Sequence, residues 1–214
     1  KDYNIQFKNE SCKMFQYLVA TSKIYWKEEL AALKQIDSIY TQKSMPLHIN
    51  SELLTDDQNY EQSQSLRNKM FLMGYLCCSY KDAAKPWGVY LMDNKISDGT
   101  ESNGGSGKSL FIRFAEILLN KYFINGKNKK LSEDSHKYDG VTENTDIIVI
   151  DDLEKKFDIE LLHNDVTSDL QVNPKGKQPY TIKRADSPKI IIATNYVPLK
   201  TDASIKRRWR FGTF

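Results

Sequence analysis

The stretch that decides the fold reads ESNGGSGKSLF and spans residues 101–111. Three of the chain's 10 glycines fall within four positions, 104 to 107, and a lysine follows them directly. The apolar spacing of KSLFIRFAEILLNKYF (108–123) then predicts an amphipathic helix. Because glycine readily adopts positive φ, such a turn lets backbone N–H groups converge on an anion at the start of a helix. The pattern is typical of a phosphate-binding loop.

In a loop of this kind the lysine, Lys108, places its charge on the β- and γ-phosphates of ATP, and the next hydroxyl, Ser109, binds Mg²⁺. The usual spacing is G-x-x-x-x-G-K-[ST], and Ser102 stands here in place of the first glycine. A flexible Gly/Ser linker is the alternative for the loop taken alone. The nucleotide-binding residues that the loop predicts are Asn103, Gly104, Gly105, Ser106, Gly107, Lys108, Ser109 and Leu110.

Two further apolar runs end in polar residues. DIIVIDDLE (146–154) predicts a buried strand whose Asp151 binds Mg²⁺ and whose Asp152 orients the attacking water. KIIIATN (189–195) predicts another strand, after which Asn195 could contact the γ-phosphate and the water. An ordinary strand end, closed by a helix cap or an Asn turn, is the alternative for each run alone. Because ligands of open α/β sheets bind at the carboxyl ends of the strands, the combination predicts an ATPase.

The C-terminal part of the chain is strongly basic. Residues 171–214 hold ten Lys and Arg against two Asp, within a chain whose net charge is +3. Such an excess favours a polyanionic partner. In DASIKRRWRF (202–211), either Arg207 or Arg208 could reach the ATP bound by a neighbouring subunit. A solvated basic strand edge is the alternative for this segment.

Short β-branched runs alternate with helical patterns after residue 85, which predicts an α/β fold, a P-loop core with a mainly parallel sheet flanked by helices. Helices are expected over 12–40 and 66–80, a strand over 87–93 and a basic turn over 126–130. The predicted domains are a small helical N-terminal domain, 1–85, for which oligomerisation is one expected role, and an ATPase core, 86–214.

Other features limit where the protein acts. No apolar stretch approaches the 18 residues of a membrane-spanning helix, and we expect a cytoplasmic protein. The three cysteines do not have the spacing of metal ligands, so we expect neither a zinc site nor disulfide bonds. Cys77 and Cys78 are expected to be buried. The first residue is Lys, so we expect a piece of a longer polypeptide that also continues beyond Phe214.

Taken in order, ESNGGSGKS, DIIVIDD, KIIIATN and SIKRRWRF resemble motifs A, B and C and the arginine region of superfamily 3 helicases, which are AAA+-related replicative helicases of viruses, phages and plasmids. The likeness covers roughly residues 85–214 and is closest to phage and poxvirus-type primase-helicases. It implies ATP- and Mg²⁺-dependent translocation on single-stranded DNA by a homo-oligomeric ring, usually a hexamer, in the cytoplasm of a host cell. A primase domain or partner is also implied for the full-length protein.

The resemblance further implies a DNA-gripping β-hairpin between motifs B and C. NPKGKQPY (173–180) has the turn residues of a hairpin tip, which would carry Lys175 and Lys177. Lysines at a tip suit sequence-independent phosphate contacts, and a surface hairpin with solvated lysines is the alternative. The sequence departs from the family at Ser102 and at Asp152, which is one methylene shorter than the usual Glu.

Two other functions remain open at the level of sequence. One is a different P-loop ATPase, such as an initiator, a helicase loader or a packaging motor. The other is a non-catalytic module in which bound nucleotide only holds subunits together.

Overall fold

The structure is a computed structural model that describes residues 12–36, 48–94, 105–128 and 130–214. The chain forms two compact units, Lys1–Phe71 and Leu72–Phe214, and the division falls within a long helix. The α-helices are α1 (Lys13–Ser22), α2 (Trp26–Ile36), α3 (Asp56–Cys77), α4 (Lys108–Glu116), α5 (His163–Thr167) and α6 (Ala203–Arg208), with a short 3₁₀ helix at Ile159–Leu162. The strands are β1 (Gly88–Met92), β2 (Lys121–Asn125), β3 (Ile147–Asp151), β4 (Leu170–Val172), β5 (Tyr180–Ile182), β6 (Lys189–Ala193) and β7 (Trp209–Thr213).

The described part of the first unit is helical, as predicted, but the expected single helix over 12–40 is wrong in its middle. The chain leaves helical geometry at Lys23, whose φ and ψ are −76° and 74°, and α2 begins three residues later. The side chain of Lys23 forms a buried ion pair with Glu29 at 3.0 Å, and the N–H of Tyr25 donates to Gln62 Oε1. These tertiary contacts favour two short helices over one continuous helix. Residues 37–40 lie outside the described residues.

Helix α3 begins ten residues before the predicted start at 66, because a capping box precedes it. The backbone N–H of Gln58 donates to Thr55 Oγ1 at 3.3 Å, and the backbone N–H of Thr55 donates to Gln58 Oε1 at 3.0 Å. This reciprocal pair satisfies N–H groups that have no partner within the helix. The sequence TDDQ at 55–58 carries that signature, so the earlier start could have been predicted.

The second unit contains a five-stranded parallel sheet in the order β2-β3-β6-β1-β7. The three central strands, β3, β6 and β1, are almost entirely buried, whereas the edge strands β2 and β7 are partly exposed. This is the pattern of a parallel sheet packed on both faces. The predicted fold class, an α/β core with a parallel sheet flanked by helices, is confirmed, and it is compatible with a P-loop core.

The predicted helix over 108–123 is wrong in its second half. The N–H groups of Leu118 and Leu119 both donate to the carbonyl of Ala115 at 3.0 Å, which ends the helical ladder near Glu116. Residues 121–125 then pair with β3 as strand β2, so that Ile124 becomes buried. Pairing within the sheet outweighs the helical spacing of this segment.

Two further expectations meet the structure here. Burial of Cys77 and Cys78 is wrong: both thiols are exposed, because they lie at the very end of α3. Within the described residues, the search for a helix long and apolar enough to cross a membrane finds none. The domain boundary at residue 85 and the oligomerisation role of the N-terminal region stay predictions.

Candidate nucleotide site

The glycine-rich loop leads directly into helix α4. Gly105 and Gly107 have φ angles of 96° and 110°, a left-handed conformation that strains any residue with a Cβ. Gly107 is the N-cap of α4, and its carbonyl accepts the N–H of Leu110 at 2.9 Å. The sequence therefore needs glycines at these positions to turn the chain into the helix. Asn103 and Gly104, also predicted to bind nucleotide, lie outside the described residues.

An open cavity of about 1010 Å³ lies at the carboxyl end of the parallel sheet. The described loop residues that were predicted to bind nucleotide all line it: Gly105, Ser106, Gly107, Lys108, Ser109 and Leu110. Asp151, Asp152 and Asn195 line the same cavity. The structure thus brings together residues that are separated by up to 90 positions in the sequence.

The strand order explains why these groups meet. Strand β6 lies between β1, which precedes the loop, and β3, which ends in Asp151. Because the strands are parallel, their carboxyl ends share one edge, with Asp151 beside Ala193 in register. The residues after β6 therefore lie between the loop and the acidic strand end, which accounts for Asn195 in the cavity.

The two acids differ in conformation. Asp151 continues the extended strand, but Asp152 has a φ of 60°, the single positive value among the described non-glycine residues. Its backbone N–H donates to Asp151 Oδ1 at 3.1 Å. Aspartate tolerates this left-handed conformation better than most residues, yet strain of this kind tends to cluster at functional sites. Asp152 lines the cavity, and its side chain is half-exposed.

Gly126 is needed for the approach of two chain segments at this edge. It follows β2, and its N–H donates to the carbonyl of Asp151 at 2.7 Å. A Cβ at this position would lie 2.7 Å from that carbonyl oxygen and 2.7 Å from the backbone of Leu153. Backbone atoms cannot move aside as a flexible side chain can, so we infer that a larger residue here would displace the acidic turn.

Thr194 holds the end of β6 in place through two hydrogen bonds. Its hydroxyl donates to the carbonyl of Leu153 at 2.8 Å, and its backbone N–H donates to the carbonyl of Leu91 at 3.0 Å. These bonds tie together the ends of β1 and β6 and the turn that follows β3. Thr194 is only 2% exposed, and both Thr194 and the next residue, Asn195, are among the residues that line the cavity. The hydroxyl of Thr194 is already used on the Leu153 carbonyl, so Thr194 holds this end of the sheet together.

Sequence reasoning missed three lysines of the cavity, Lys127, Lys155 and Lys156. Lys127 forms an ion pair with Asp152, whose carboxylate raises the pKa of Lys127 above its ordinary value, chiefly through the hydrogen bond. The ammonium group of Lys155 lies 5.7 Å from the centre of the Tyr196 ring. The sequence shows Lys127 in the basic turn at 126–130, and Lys155 and Lys156 directly after DDLE. Only the pairing of β2 with β3 brings these lysines to the carboxyl edge of the sheet.

Asp93 is a further missed residue, immediately after β1. Its carboxylate forms an ion pair with Lys108 and accepts a hydrogen bond from Ser106 Oγ at 2.6 Å. Asp93 is 7% exposed and Lys108 8% exposed, so both charges are largely removed from water. The sequence WGVYLMD predicts only a strand with a polar end, and nothing in it links the acid to a lysine 15 positions later.

The predicted arginines lie away from the cavity, at the end of α6. Arg207 is exposed, whereas the guanidinium of Arg208 donates from Nη1 to the carbonyl of Ser204 at 3.3 Å and also contacts Ser204 Oγ. Asp202 caps the helix through the N–H of Ile205 at 2.9 Å, which fixes where α6 starts. Neither arginine is among the residues that line the cavity of its own chain.

The predicted hairpin is present, with β4 and β5 antiparallel and Gly176 at a φ of 70° in the turn. Lys175 and Lys177 are exposed at its tip and do not line the cavity. The hairpin is attached through His136, whose Nδ1 donates to the carbonyl of Asn173 at 2.6 Å, and through Tyr180, whose hydroxyl donates to the carbonyl of Val141. Both lysines are thus presented to solvent on an anchored support.

The donors in the cavity fit magnesium bound together with a phosphate chain. Among the described residues no group of three acidic, His or Cys side chains could hold a metal ion alone. Magnesium needs no such group, because one or two carboxylates and the phosphates complete its ligands. Ser109 and Asp151 would supply the hydroxyl and the carboxylate, and the positive-φ glycines would supply a cradle of N–H groups for the phosphates.

Comparisons with known proteins give structural likenesses and one family. The solved structure of JCV helicase bound to a thiazolopyridine acetamide aligns with 94% of this chain at 12% sequence identity and a TM-score of 0.37. The chain spans 45% of the length of that helicase chain. A search of the curated proteins finds no match. The sequence profile of a family of unknown function, DUF5906, matches residues 100–208, just over half of the chain. The chain belongs to the DUF5906 family.

Proposed function

We propose that the second unit is the ATP-hydrolysing motor of a superfamily 3 type DNA helicase, which moves along single-stranded DNA in the cytoplasm as part of a homo-oligomeric ring. The observation that carries the proposal is the meeting of the glycine-rich loop, Asp151, Asp152 and Asn195 around one cavity at the carboxyl edge of the sheet. Each of these groups would have a separate task in phosphoryl transfer to water, and an arginine from a neighbouring subunit would complete the set.

In this proposal the loop amides and Lys108 bind the β- and γ-phosphates of ATP. Ser109 and Asp151 would hold Mg²⁺, which when bound would supply positive charge to the phosphate oxygens. Asp152 orients and polarises the attacking water, and Asn195 contacts that water and the γ-phosphate. For Asp152 to do so it must leave Lys127, with which it is paired. Because both side chains of that pair are exposed by half or more, separating them costs little.

The positions of the two arginines favour one of them for the finger. Arg208 is held on its own helix by Ser204, whereas Arg207 is exposed at the same helix end. An arginine that completes the site of a neighbouring subunit must project from the surface of its own chain. We therefore assign the finger to Arg207, and a positioning role within α6 to Arg208.

A forked-duplex assay tests the proposed function. The protein, assembled with ATP, Mg²⁺ and single-stranded DNA, should hydrolyse ATP faster when the DNA is present and should separate the strands of the fork. Hydrolysis without strand separation would replace the helicase with another P-loop ATPase, such as a loader or a packaging motor. The absence of hydrolysis even in a single-turnover experiment would leave only a nucleotide-binding assembly module.

The hairpin tip supplies a second test. We expect the double substitution Lys175→Ala and Lys177→Ala to weaken single-stranded DNA binding and to reduce the salt slope by about 1.4, since each phosphate contact to a single strand contributes about 0.7. Fluorescence anisotropy across a salt series measures this slope. Lys85→Ala with Lys121→Ala removes the same charge at exposed positions outside both the cavity and the hairpin, and should leave the slope unchanged. A slope that stays the same in the tip variant would take the hairpin out of the DNA path.

A further inference from the structure

Asp93, Ser106 and Lys108 form a closed triangle of side chains at the base of the loop. Lys108 Nζ donates to Ser106 Oγ at 2.9 Å, Ser106 Oγ donates to Asp93 Oδ1 at 2.6 Å, and Lys108 Nζ contacts the same Oδ1. Two of the three adjoin regular structure, since Asp93 directly follows β1 and Lys108 is the first residue of α4. The triangle closes the loop onto the strand that precedes it.

The ion pair concerns the very ammonium group that the proposed function assigns to phosphate. Two of the three N–H donors of Lys108 are used within the triangle, and the charge of Lys108 is neutralised by a carboxylate at contact distance. A phosphate that binds Lys108 must therefore share the ammonium with Asp93 or displace Asp93 from it. In either arrangement a buried negative charge lies next to the negatively charged phosphates, and in a site with little water that repulsion is weakly screened.

We propose that Asp93 is a positioning residue that competes with the nucleotide for Lys108. Without nucleotide, Asp93 holds Lys108 against the loop. Because ATP or ADP must compete with Asp93 for Lys108, the affinity of the site for both nucleotides is lower. The inference rests on the proposed function, because it concerns the phosphate subsite of the same cavity. Its consequence is faster release of ADP, since Asp93 can take the lysine back as the phosphates leave.

The competing explanation is a purely structural ion pair that keeps the loop in shape. The two explanations predict opposite signs for one substitution. Asp93→Asn removes the negative charge but keeps an oxygen that can accept hydrogen bonds from Ser106 and Lys108. A structural role predicts weaker nucleotide binding in this variant because the loop is less well held, whereas competition predicts tighter binding.

The experiment measures dissociation constants of Mg-ATP and ADP by fluorescence titration, with the wild-type chain, Asp93→Asn and Asp93→Glu. We expect Asp93→Asn to bind both nucleotides about tenfold more tightly, and a chase experiment to show ADP release slowed by a similar factor. Asp93→Glu keeps the charge and should stay close to the wild type. Adenosine, which lacks phosphates, should bind all three proteins equally. Asp146→Asn is the matched control, because Asp146 precedes β3 at the opposite end of the sheet and accepts the N–H of Asn120 at 2.7 Å.

Each outcome decides the matter. Unchanged or weaker ATP binding in Asp93→Asn overturns the inference, and so does an equal gain for adenosine, which would indicate a reshaped pocket. If Asp93→Asn does not fold, Asp93→Ser carries the same expected sign, because serine is neutral and can accept the hydrogen bond. Failure of the wild-type chain to bind ATP would instead overturn the proposed function, so the two failures are distinguishable.

Discussion

Replacing Lys108 with alanine should reduce ATP hydrolysis to background, a loss of about 10³-fold or more in kcat/KM. Lys108 is the buried cation at the start of α4, and the other lysines of the cavity come from turns that are more exposed. Without it the phosphates would face Asp93 with no charge between them. A steady-state assay of phosphate release, with DNA and Mg²⁺ at saturation, measures the loss.

The design of this experiment must separate catalysis from folding. Removal of Lys108 alone leaves Asp93 buried without its ion-pair partner, which can cost about 3–5 kcal/mol of stability. The double substitution Lys108→Ala with Asp93→Asn removes both charges, so it should fold better than the single variant and remain equally inactive. Lys121→Ala is the control, since Lys121 is 41% exposed and its ion pair with Glu116 lies outside the cavity. Substantial hydrolysis by the well-folded double variant would contradict the role of Lys108.

The second large effect is expected from Arg207→Ala, which should lower kcat by about 10³-fold while the KM for ATP changes little. An arginine finger stabilises charge that develops on the phosphoryl group as it is transferred, so its loss affects turnover more than ground-state binding. Arg208→Ala should lower kcat by less than about tenfold, because that guanidinium is used on Ser204 of its own helix. Both variants are measured at concentrations at which the wild-type chain assembles.

A mixing experiment tests whether Arg207 acts between subunits. Lys108→Ala and Arg207→Ala chains are each inactive alone, but in a mixed oligomer an intact Arg207 can complete a site that retains Lys108. We therefore expect hydrolysis to recover partly when the two variants are assembled together. An inactive mixture, from chains shown to co-assemble, would place any role of Arg207 within its own subunit.

Local patterns made much of the site predictable. Gly105 and Gly107 have positive φ angles, which only glycine adopts without strain. Because the chain has only 10 glycines, the three between 104 and 107 indicate such a turn. The buried strands β3 and β6 are continuous β-branched runs ending in polar residues, and parallel strands bring such ends to one edge. The roles of those residues toward nucleotide, metal and DNA stay predictions until they are measured.

The features that sequence missed all depend on contacts between distant segments. Strand β2 has a helical spacing, and only its pairing with β3 makes it a strand and carries Lys127 to Asp152. Asp93 and Lys108 form an ion pair although they are 15 positions apart, and no local pattern predicts that contact. Strand β7 directly follows α6, and this segment is interpreted from sequence only through its basic residues. In the structure Trp209 is fully buried and pairs with Gly88 of β1. A Cβ at Gly88 would overlap the Trp209 ring, which is a reason for that glycine that appears only in three dimensions.

The most direct test is a crystal structure of the chain with a non-hydrolysable ATP analogue and Mg²⁺. We expect the β- and γ-phosphates to contact the backbone amides of residues 105–109 and the ammonium group of Lys108. The metal ion should be bound by the Ser109 hydroxyl and should contact Asp151 directly or through a water molecule. Phosphates bound elsewhere on the chain, or a metal ion that contacts neither Ser109 nor Asp151, would contradict the assignment of this cavity to ATP.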